Sequence, residues 1–389
     1  TVTNRGTGFE HVLVTEADGK FRVVAMQPGA YDVIADLTGF TPQRRQITLT
    51  VGADATLNLV LDVGALSETV MVSASAALVE VTRSQPSSAV VGDQIAALPV
   101  LERNFLSLAQ LLAGGAPDQR PSRVSITKVG GAGDRRNPDT TIIDGGDIDD
   151  VVQGNPTIYL SQDAVQEFKV FRNQFDAQYG AALAAVVTVA TKSGTNNLHG
   201  TGYFFGRDDS LNARNAFQRS KPVYGQKRFG GSLGGPIAQN RTHFVGAYEY
   251  TNVDQQNIIA LPARNPFAAA QNGEFPATSR EHLMVAKLDH RLSDRSSFFV
   301  RYAFDDQFAT RTGTVTSDES NVNDSSKMHS VIGEQNFVLS NSSVNSLRVH
   351  YMWNEVATVP VTLGVPREVR PSVTTGQNWT SPQFFPRTR

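Results

Sequence analysis

From His199 onward the chain repeats one pattern: runs of about ten residues in which apolar and polar side chains alternate, each followed by a polar connection. The runs cover 199–206, 228–237, 241–251, 281–292, 296–305, 328–339 and 344–354, and a period of two over such lengths predicts antiparallel β-strands. Within 296–305, Phe298, Val300, Tyr302 and Phe304 share one face, and Ser297, Arg301 and Ala303 take the other, with Phe299 out of pattern. Within 344–354, Leu347, Val349, Tyr351 and Trp353 lie opposite Ser346, Arg348 and His350.

Ahead of His199 the rhythm is shorter. In residues 1–63 the strand-like words Val12-Leu13-Val14, Phe21-Arg22-Val23-Val24 and Tyr31-Asp32-Val33-Ile34-Ala35 are divided by turn words such as Asp18-Gly19 and Gln27-Pro28-Gly29. Ile47, Leu49 and Val51 then alternate with Thr48 and Thr50, and Leu57, Leu59 and Leu61 with Asn58 and Val60. Short strands at this spacing predict a β-sandwich. Residues 64–89 read as a Ser/Ala/Thr-rich linker holding one β-prone word, ETVMVSA, at 68–74.

Residues 90–197 mix helix and strand signals. Asp93 can cap a helix over 94–98 that Pro99 ends, and Asn104 can cap a second carrying Phe105, Leu108, Leu111 and Leu112 on one face, closed by Gly114-Gly115. Residues 124–127 and 140–143 read as strands, with a turn over 144–150. The organising stretch is 162–200, where Ser161 and Asp163 suit a helix start and Ala164-Val165-Gln166 one helical turn. Phe168-Lys169-Val170-Phe171 then looks extended, 186–191 is a β-branched strand, and 193–197 are turn formers.

Composition narrows the reading. The 389 residues are enough for two or three domains, and a formal net charge of −2 gives no reason to expect a nucleic-acid partner. The absence of cysteine excludes disulfide frameworks, cysteine nucleophiles and thiolate metal sites. No apolar run approaches the roughly 20 residues of a membrane helix, so any spanning must be done by strands. A soluble sandwich shares the period of two, but the strand length, the aromatic side chains and the long polar stretch 310–327, read as a loop, favour a membrane barrel. An arginine facing lipid at mid-depth costs ~2–4 kcal/mol, so Arg301 and Arg348, and His350 on the same face, should line the lumen, with Tyr351 and Trp353 at an aromatic girdle. About seven strands cannot close a barrel of the size plugged transporters use, and no export signal opens the chain, so it reads as part of a longer protein truncated at both ends.

Tempting chemistry is weak. The acidic run Asp144, Asp147, Asp149 and Asp150 lacks the spacing of a calcium loop and reads as a solvated turn. Residues 128–133 are glycine-rich without the Lys-Ser or Lys-Thr of a phosphate loop. The seven histidines lack metal-ligand spacing, and His243, His290 and His350 are expected to face the lumen. Gly230-Gly231 and Gly234-Gly235-Pro236 suggest a bend or bulge. No catalytic, cofactor or metal site emerges.

The words VQEFKVFRNQFDAQYG, VVTVATKSGTNNLHGTGYFF, DDSLNARNAF and RFGGSLGGPI closely resemble the TonB-dependent receptors of the outer membrane, specifically the branch with an N-terminal carboxypeptidase regulatory-like domain, which DGKFRVVAMQPGAYDVIADLTGF resembles in turn. The resemblance implies a mainly β fold. It comprises an N-terminal β-sandwich over 1–63, its first strand preceding Thr1, then a linker over 64–89. A mixed α/β plug over 90–197 follows, and then the first part of a transmembrane antiparallel barrel over 198–389. It further implies a receptor, not an enzyme, lodged in outer-membrane lipid with its N-terminal domain in the periplasm. Such a receptor takes an extracellular solute, an oligosaccharide, peptide or chelated metal, into the periplasm on energy from the inner membrane. Glu68, Thr69, Val70, Met71, Val72, Ser73 and Ala74 would be the TonB box, adding as a strand to the TonB-type periplasmic energy-transducing protein. The competing reading is a non-transporting envelope or cell-surface binding protein with a carbohydrate-binding-like sandwich, in which Val70 and Val72 simply belong to a neighbouring sheet.

Overall fold

The computed structural model describes residues 1–64 (except 25, 53 and 54), 70–71, 87–97, 103, 106, 116–117, 127–128, 139–149, 156–172, 179–180, 182, 185–214, 221, 223–259, 273–312, 321–340 and 343–360. Strands dominate, in three main sheets.

The first sheet comprises β1 (Val2–Asn4), β2 (Glu10–His11), β3 (Gly29–Ala35), β4 (Gln43–Leu49) and β5 (Val70–Met71), in the order β2-β1-β3-β4-β5. Val2, Tyr31 and Val33 form its buried face, and Phe21, Val23, Met26, Leu57 and Leu59 pack onto them. The expected strands at 12–14, 21–24 and 57–61 are absent as ladders. Alternation only decides which side of an extended segment is covered; a ladder also needs a neighbour in register, and among the described residues these segments have none. Val12 and Val14 are exposed outright.

The second sheet has the order β10-β9-β12-β11-β6, from β6 (Ser87–Val91), β9 (Asp139–Ile143), β10 (Gly146–Asp147), β11 (Val165–Arg172) and β12 (Ala185–Thr191). Helix α1 (Gly92–Ala97) follows β6 directly, and β7 (Ala116–Pro117) pairs separately with β8 (Thr127–Lys128). Helix is scarce. Of the second expected helix, only Leu106 lies within the described residues, helical and buried. The expected helical turn over Ala164-Val165-Gln166 comes earlier, as a 3-10 turn at Gln162–Ala164, and Val165 already opens β11 because its branched side chain fits a pleated surface better. Every residue of β12 is buried, as a strand covered on both faces must be.

The third sheet is a seven-stranded antiparallel meander. It runs β13 (His199–Asp208), β14 (Tyr224–Ala238), β15 (Thr242–Ile259), β16 (Gly273–Ser293), β17 (Ser296–Thr312), β18 (Asn321–Ser340) and β19 (Ser343–Pro360), in sequence order. Each alternating run falls inside one of these strands, but most strands are longer than the runs. The stretch 310–327 is largely strand: Thr310 pairs with Asn323, Arg311 with Val322 and Thr312 with Asn321. Of the two glycine words, Gly234-Gly235-Pro236 does lead into a bulge, between Pro236 and Ala238, whereas pairing with β15 is regular at Gly230-Gly231, where the glycine at 230 makes room for the Tyr203 hydroxyl and the Tyr248 carbonyl.

One face of this meander is apolar and open. Phe229, Leu233, Ile237, Tyr248, Val300, Leu347, Val349, Tyr351 and Trp353 are all exposed on it. Toward the long connections it ends in an aromatic band, with Phe229 on Tyr250 at 5.3 Å, Tyr250 on His282 at 4.6 Å and His329 stacked on Trp353 at 4.5 Å. The rung that joins His282 to Asp306, Lys327 and Glu355 then turns charged. His290 belongs to this outer face and not to the lumen, because its Cα partner is Phe298; at the opposite edge of the band it bonds the Thr242 hydroxyl at 2.8 Å. Tight turns at 239–241 and 294–295 lie at one end and the long connections at the other, the asymmetry of outer-membrane barrels.

The other face meets the second sheet. Ala247, Leu283, Val285 and Ala303 of the meander share one hydrophobic core with Ile143, Ile148, Ile158, Leu160, Phe168, Val187 and Val189. The first sheet rests on the tight-turn end. Gln27 donates to Asp289 at 2.9 Å, the Asn196 N–H to the Gly6 carbonyl at 2.8 Å, and Phe9 lies 5.4 Å from the His243 ring.

Candidate functional site

The site is the contact between the second sheet and the inner face of the meander. Its centre is the β9–β10 turn, where Asp144 (φ 50°) and Gly145 (φ 84°) both adopt left-handed backbone. Aspartate and glycine tolerate that conformation better than other residues. The turn points the Asp144 carboxylate into the interface. It accepts from the Thr191 N–H at 2.9 Å and the Thr191 hydroxyl at 2.7 Å, with Arg301 Nε at 3.1 Å and Lys287 Nζ at 3.9 Å. Burial alone would push the carboxyl up, but Lys287, Arg301 and the two Thr191 bonds outweigh it and hold Asp144 below the ordinary carboxylate range. The aspartate is thus a buried anion and not part of a solvated turn. Of the other described carboxylates of that run, Asp147 is exposed, while Asp149 accepts the Thr141 N–H at 2.9 Å.

Arg301, Arg348 and His350 converge on this turn. Arg301 is fully buried, and the rung that carries it runs Lys287, Arg301, Ile332, His350 across four strands. Arg348, on the next rung, donates to Glu334 at 2.6 Å and reaches the Gly145 carbonyl at 3.4 Å. His350 bonds the Ser330 hydroxyl at 2.9 Å and lies against Gly146. Phe299, out of pattern in the sequence, faces inward as well, and Lys287 lies over its ring at 4.9 Å. Gly145→Ala would place a methyl group inside the Arg348 guanidinium at a backbone angle that disfavours it. We expect the turn to be destabilised by about 1–3 kcal/mol, read as easier proteolysis of residues 139–149 in the membrane-inserted protein.

Two further clusters join the same surfaces. Arg103 bonds Asp163 and, at 3.4 Å, Glu249; Glu249 also accepts from the Tyr203 hydroxyl at 2.5 Å and lies 3.7 Å from Arg228. The Arg103 guanidinium sits 4.2 Å above the Tyr203 ring. Farther along, Asp305 accepts from the Tyr159 N–H and from Gln307, both at 3.0 Å. Sequence reading took Asp144 only as part of a solvated turn and Asp163 only as a helix start, and it missed Lys287, Arg103 and Glu249. For Lys287 and Glu249 the signal available was a charge at inward parity on a strand, which only a partner surface could match.

At the tight-turn end, the Val51 N–H donates to Glu167 of β11. Burial pushes Glu167 up to about 7, against the opposing Val51 bond and Lys169. A raised carboxyl favours the neutral form in place, so the buried setting of Glu167 is most stable at low pH and loses stability as pH rises from 4.5 to about 7, although the Val51 bond itself favours the anion. Proteolysis near Val51 in the intact protein should therefore accelerate between about pH 5 and 7 and level off above that, and Glu167→Gln should flatten that dependence.

Of the segment 68–74, residues 68, 69 and 72–74 lie outside the described residues. Val70 and Met71 form β5, parallel to Gln43 and Arg44. Apart from Leu106, the second helix expected in 90–197 also falls outside them, as does the glycine-rich 129–133. Among the described residues no cluster of three or more His, Cys, Asp or Glu could hold a metal ion.

Comparison with known proteins bears on this arrangement. The carboxypeptidase regulatory-like domain profile matches residues 1–62, and that of the outer membrane beta barrel domain matches 190–282. The TonB-dependent transporter Oar of Myxococcus xanthus is 24% identical over 280 residues, covering 68% of this chain and 26% of that protein. Over that stretch the chain is similar to a TonB-dependent transporter. It is an outer-membrane protein, and its open apolar face is the lipid-facing side of the barrel. The outer membrane transporter YddB of Escherichia coli has the same fold, with a TM-score of 0.55 at 13% identity over 69% of this chain and 39% of that one. The chain spans about a quarter of the length of the curated relative it matches.

Proposed function

We propose that the whole protein is a TonB-dependent receptor: it binds an extracellular solute and admits it to the periplasm when the plug, residues 90–197, is displaced by a pull on residues 68–74. The observation that carries this reading is the β9–β10 turn locked onto the barrel's inner face by Asp144, Lys287 and Arg301. That contact sets a charged, directional pair beside the hydrophobic core that the two surfaces share. An ion-paired junction can hold a pore shut and still part when loaded, because its strength falls once water enters. The outer membrane has no ATP, so the load must arrive through an extended periplasmic segment, and ETVMVSA is suited to strand addition. The inner face toward the long connections carries Glu281, Asp305, Gln307 and Asp324, which suits a polar solute with donor groups, such as an oligosaccharide, a peptide or a chelated metal. No step of this cycle requires catalysis.

Deleting residues 68–74 from the full-length protein should abolish energised uptake while solute binding to cells persists. A strain lacking the gene, complemented with either form and grown on a panel of oligosaccharides, peptides and ferric chelates, gives the comparison. Equal growth of both strains on the solute that the intact protein imports rules out the coupling role.

A further inference from the structure

β4 has two edges, and they are used unequally. Along one it pairs with β3 over all seven residues, from Gln43 opposite Ala35 to Leu49 opposite Gly29. Along the other, among the described residues, only Gln43 and Arg44 have partners, Val70 and Met71. The chain is delivered to that edge as it leaves the sandwich: Phe40 bridges Val63, the Thr41 N–H donates to the Asp62 carbonyl at 2.9 Å, and Gly64 lies against the Thr41 hydroxyl.

We propose that the edge of β4 facing β5 is a holding strip for Val70 and Met71, so that at rest this part of the coupling segment is a strand of the first sheet and must peel from it before any pull reaches the plug. The inference rests on the coupling role assigned above. A strand has two edges, so a periplasmic partner can still add to the side of the segment that β4 leaves open. The first load then falls on the β4–β5 rungs and, through them, on the Gln27–Asp289 and Phe9–His243 contacts that seat the sandwich on the barrel rim. The sandwich acts as a clutch in the force path. Two hydrogen-bonded rungs break far more easily than a domain unfolds, which is the behaviour a releasable hold requires.

The chain has no cysteine, so an engineered pair is unambiguous. Arg44→Cys with Met71→Cys places thiols on Cα partners across β4 and β5 in the full-length protein; Ala30→Cys with Thr48→Cys does the same across β3 and β4 as a folding control. Only the membrane-inserted, heat-modifiable fraction is scored. The 44/71 disulfide should form on mild oxidation as completely as the 30/48 control, reduce energised uptake at least tenfold, leave solute binding and capture of the partner's periplasmic domain unchanged, and release on reduction. Failure of 44/71 to cross-link where 30/48 does, uptake as fast oxidised as reduced, or loss of partner capture on oxidation each overturns the holding strip. Uptake that survives deletion of 68–74 instead overturns the coupling role, so the two failures are told apart.

Discussion

Arg301→Leu should weaken the hold of the plug on the barrel by about 3–5 kcal/mol, the usual cost of removing one partner of a buried ion pair. The guanidinium is fully buried and 3.1 Å from Asp144, so its loss leaves a buried carboxylate with only Lys287, at 3.9 Å, to balance it. Leucine fits the apolar surroundings of Ile332 and Val285, so the strand itself should still insert. The measurement is the urea concentration at which 139–149 becomes protease-sensitive in outer-membrane vesicles while the barrel stays heat-modifiable. Arg301→Leu should lower that midpoint sharply, and Asp144→Asn in the same chain should recover part of the loss, because the stranded charge is then gone. An unchanged midpoint would mean that the pair does not latch the plug.

One residue away the sign of the same chemistry reverses. Val300→Arg puts a guanidinium on the lipid face, at a position that is 42% exposed and flanked by Leu288 and Gly333. Near the bilayer midplane it should cost ~2–4 kcal/mol of membrane insertion, read as a lower folded fraction in vesicle refolding. The neighbouring arginine at 301 is native. A pair of adjacent positions with opposite tolerance for arginine is a strict test of which face meets acyl chains. Equal yields for Val300→Arg and the unaltered protein would contradict the assignment.

The barrel strands were legible because alternation is local. Phe298, Val300, Tyr302 and Phe304 state their common face within seven residues of sequence, and the structure keeps them together opposite the buried Arg301, Ala303 and Asp305. Strand length was not legible. Beyond the aromatic band both faces are polar, so residues 252–259, 273–280 and 321–327 continue the ladder without any apolar rhythm to announce it. Phe299 looked like an error until Lys287 on the next strand gave its ring a cation. The charged junction was hidden for another reason. Arg103 and Glu249, like Tyr159 and Asp305, are 146 residues apart, and no local pattern links one to the other. In the N-terminal sheet, periodicity identified the covered side of 21–24 and 57–61 but not whether those segments would find a ladder.

The polar ends of β15 and β16 stay paired as far as Ile259 and Gly273, about nine residues beyond the Tyr250–His282 rung, or roughly 30 Å measured along the strands. In the receptor proposed above, an arriving solute would therefore meet a paired palisade well beyond the aromatic band. Groups on a palisade are already in position, so recognition up there gives up little conformational freedom. The outermost ladder can then tell one visitor from another by shape before the lumen is reached.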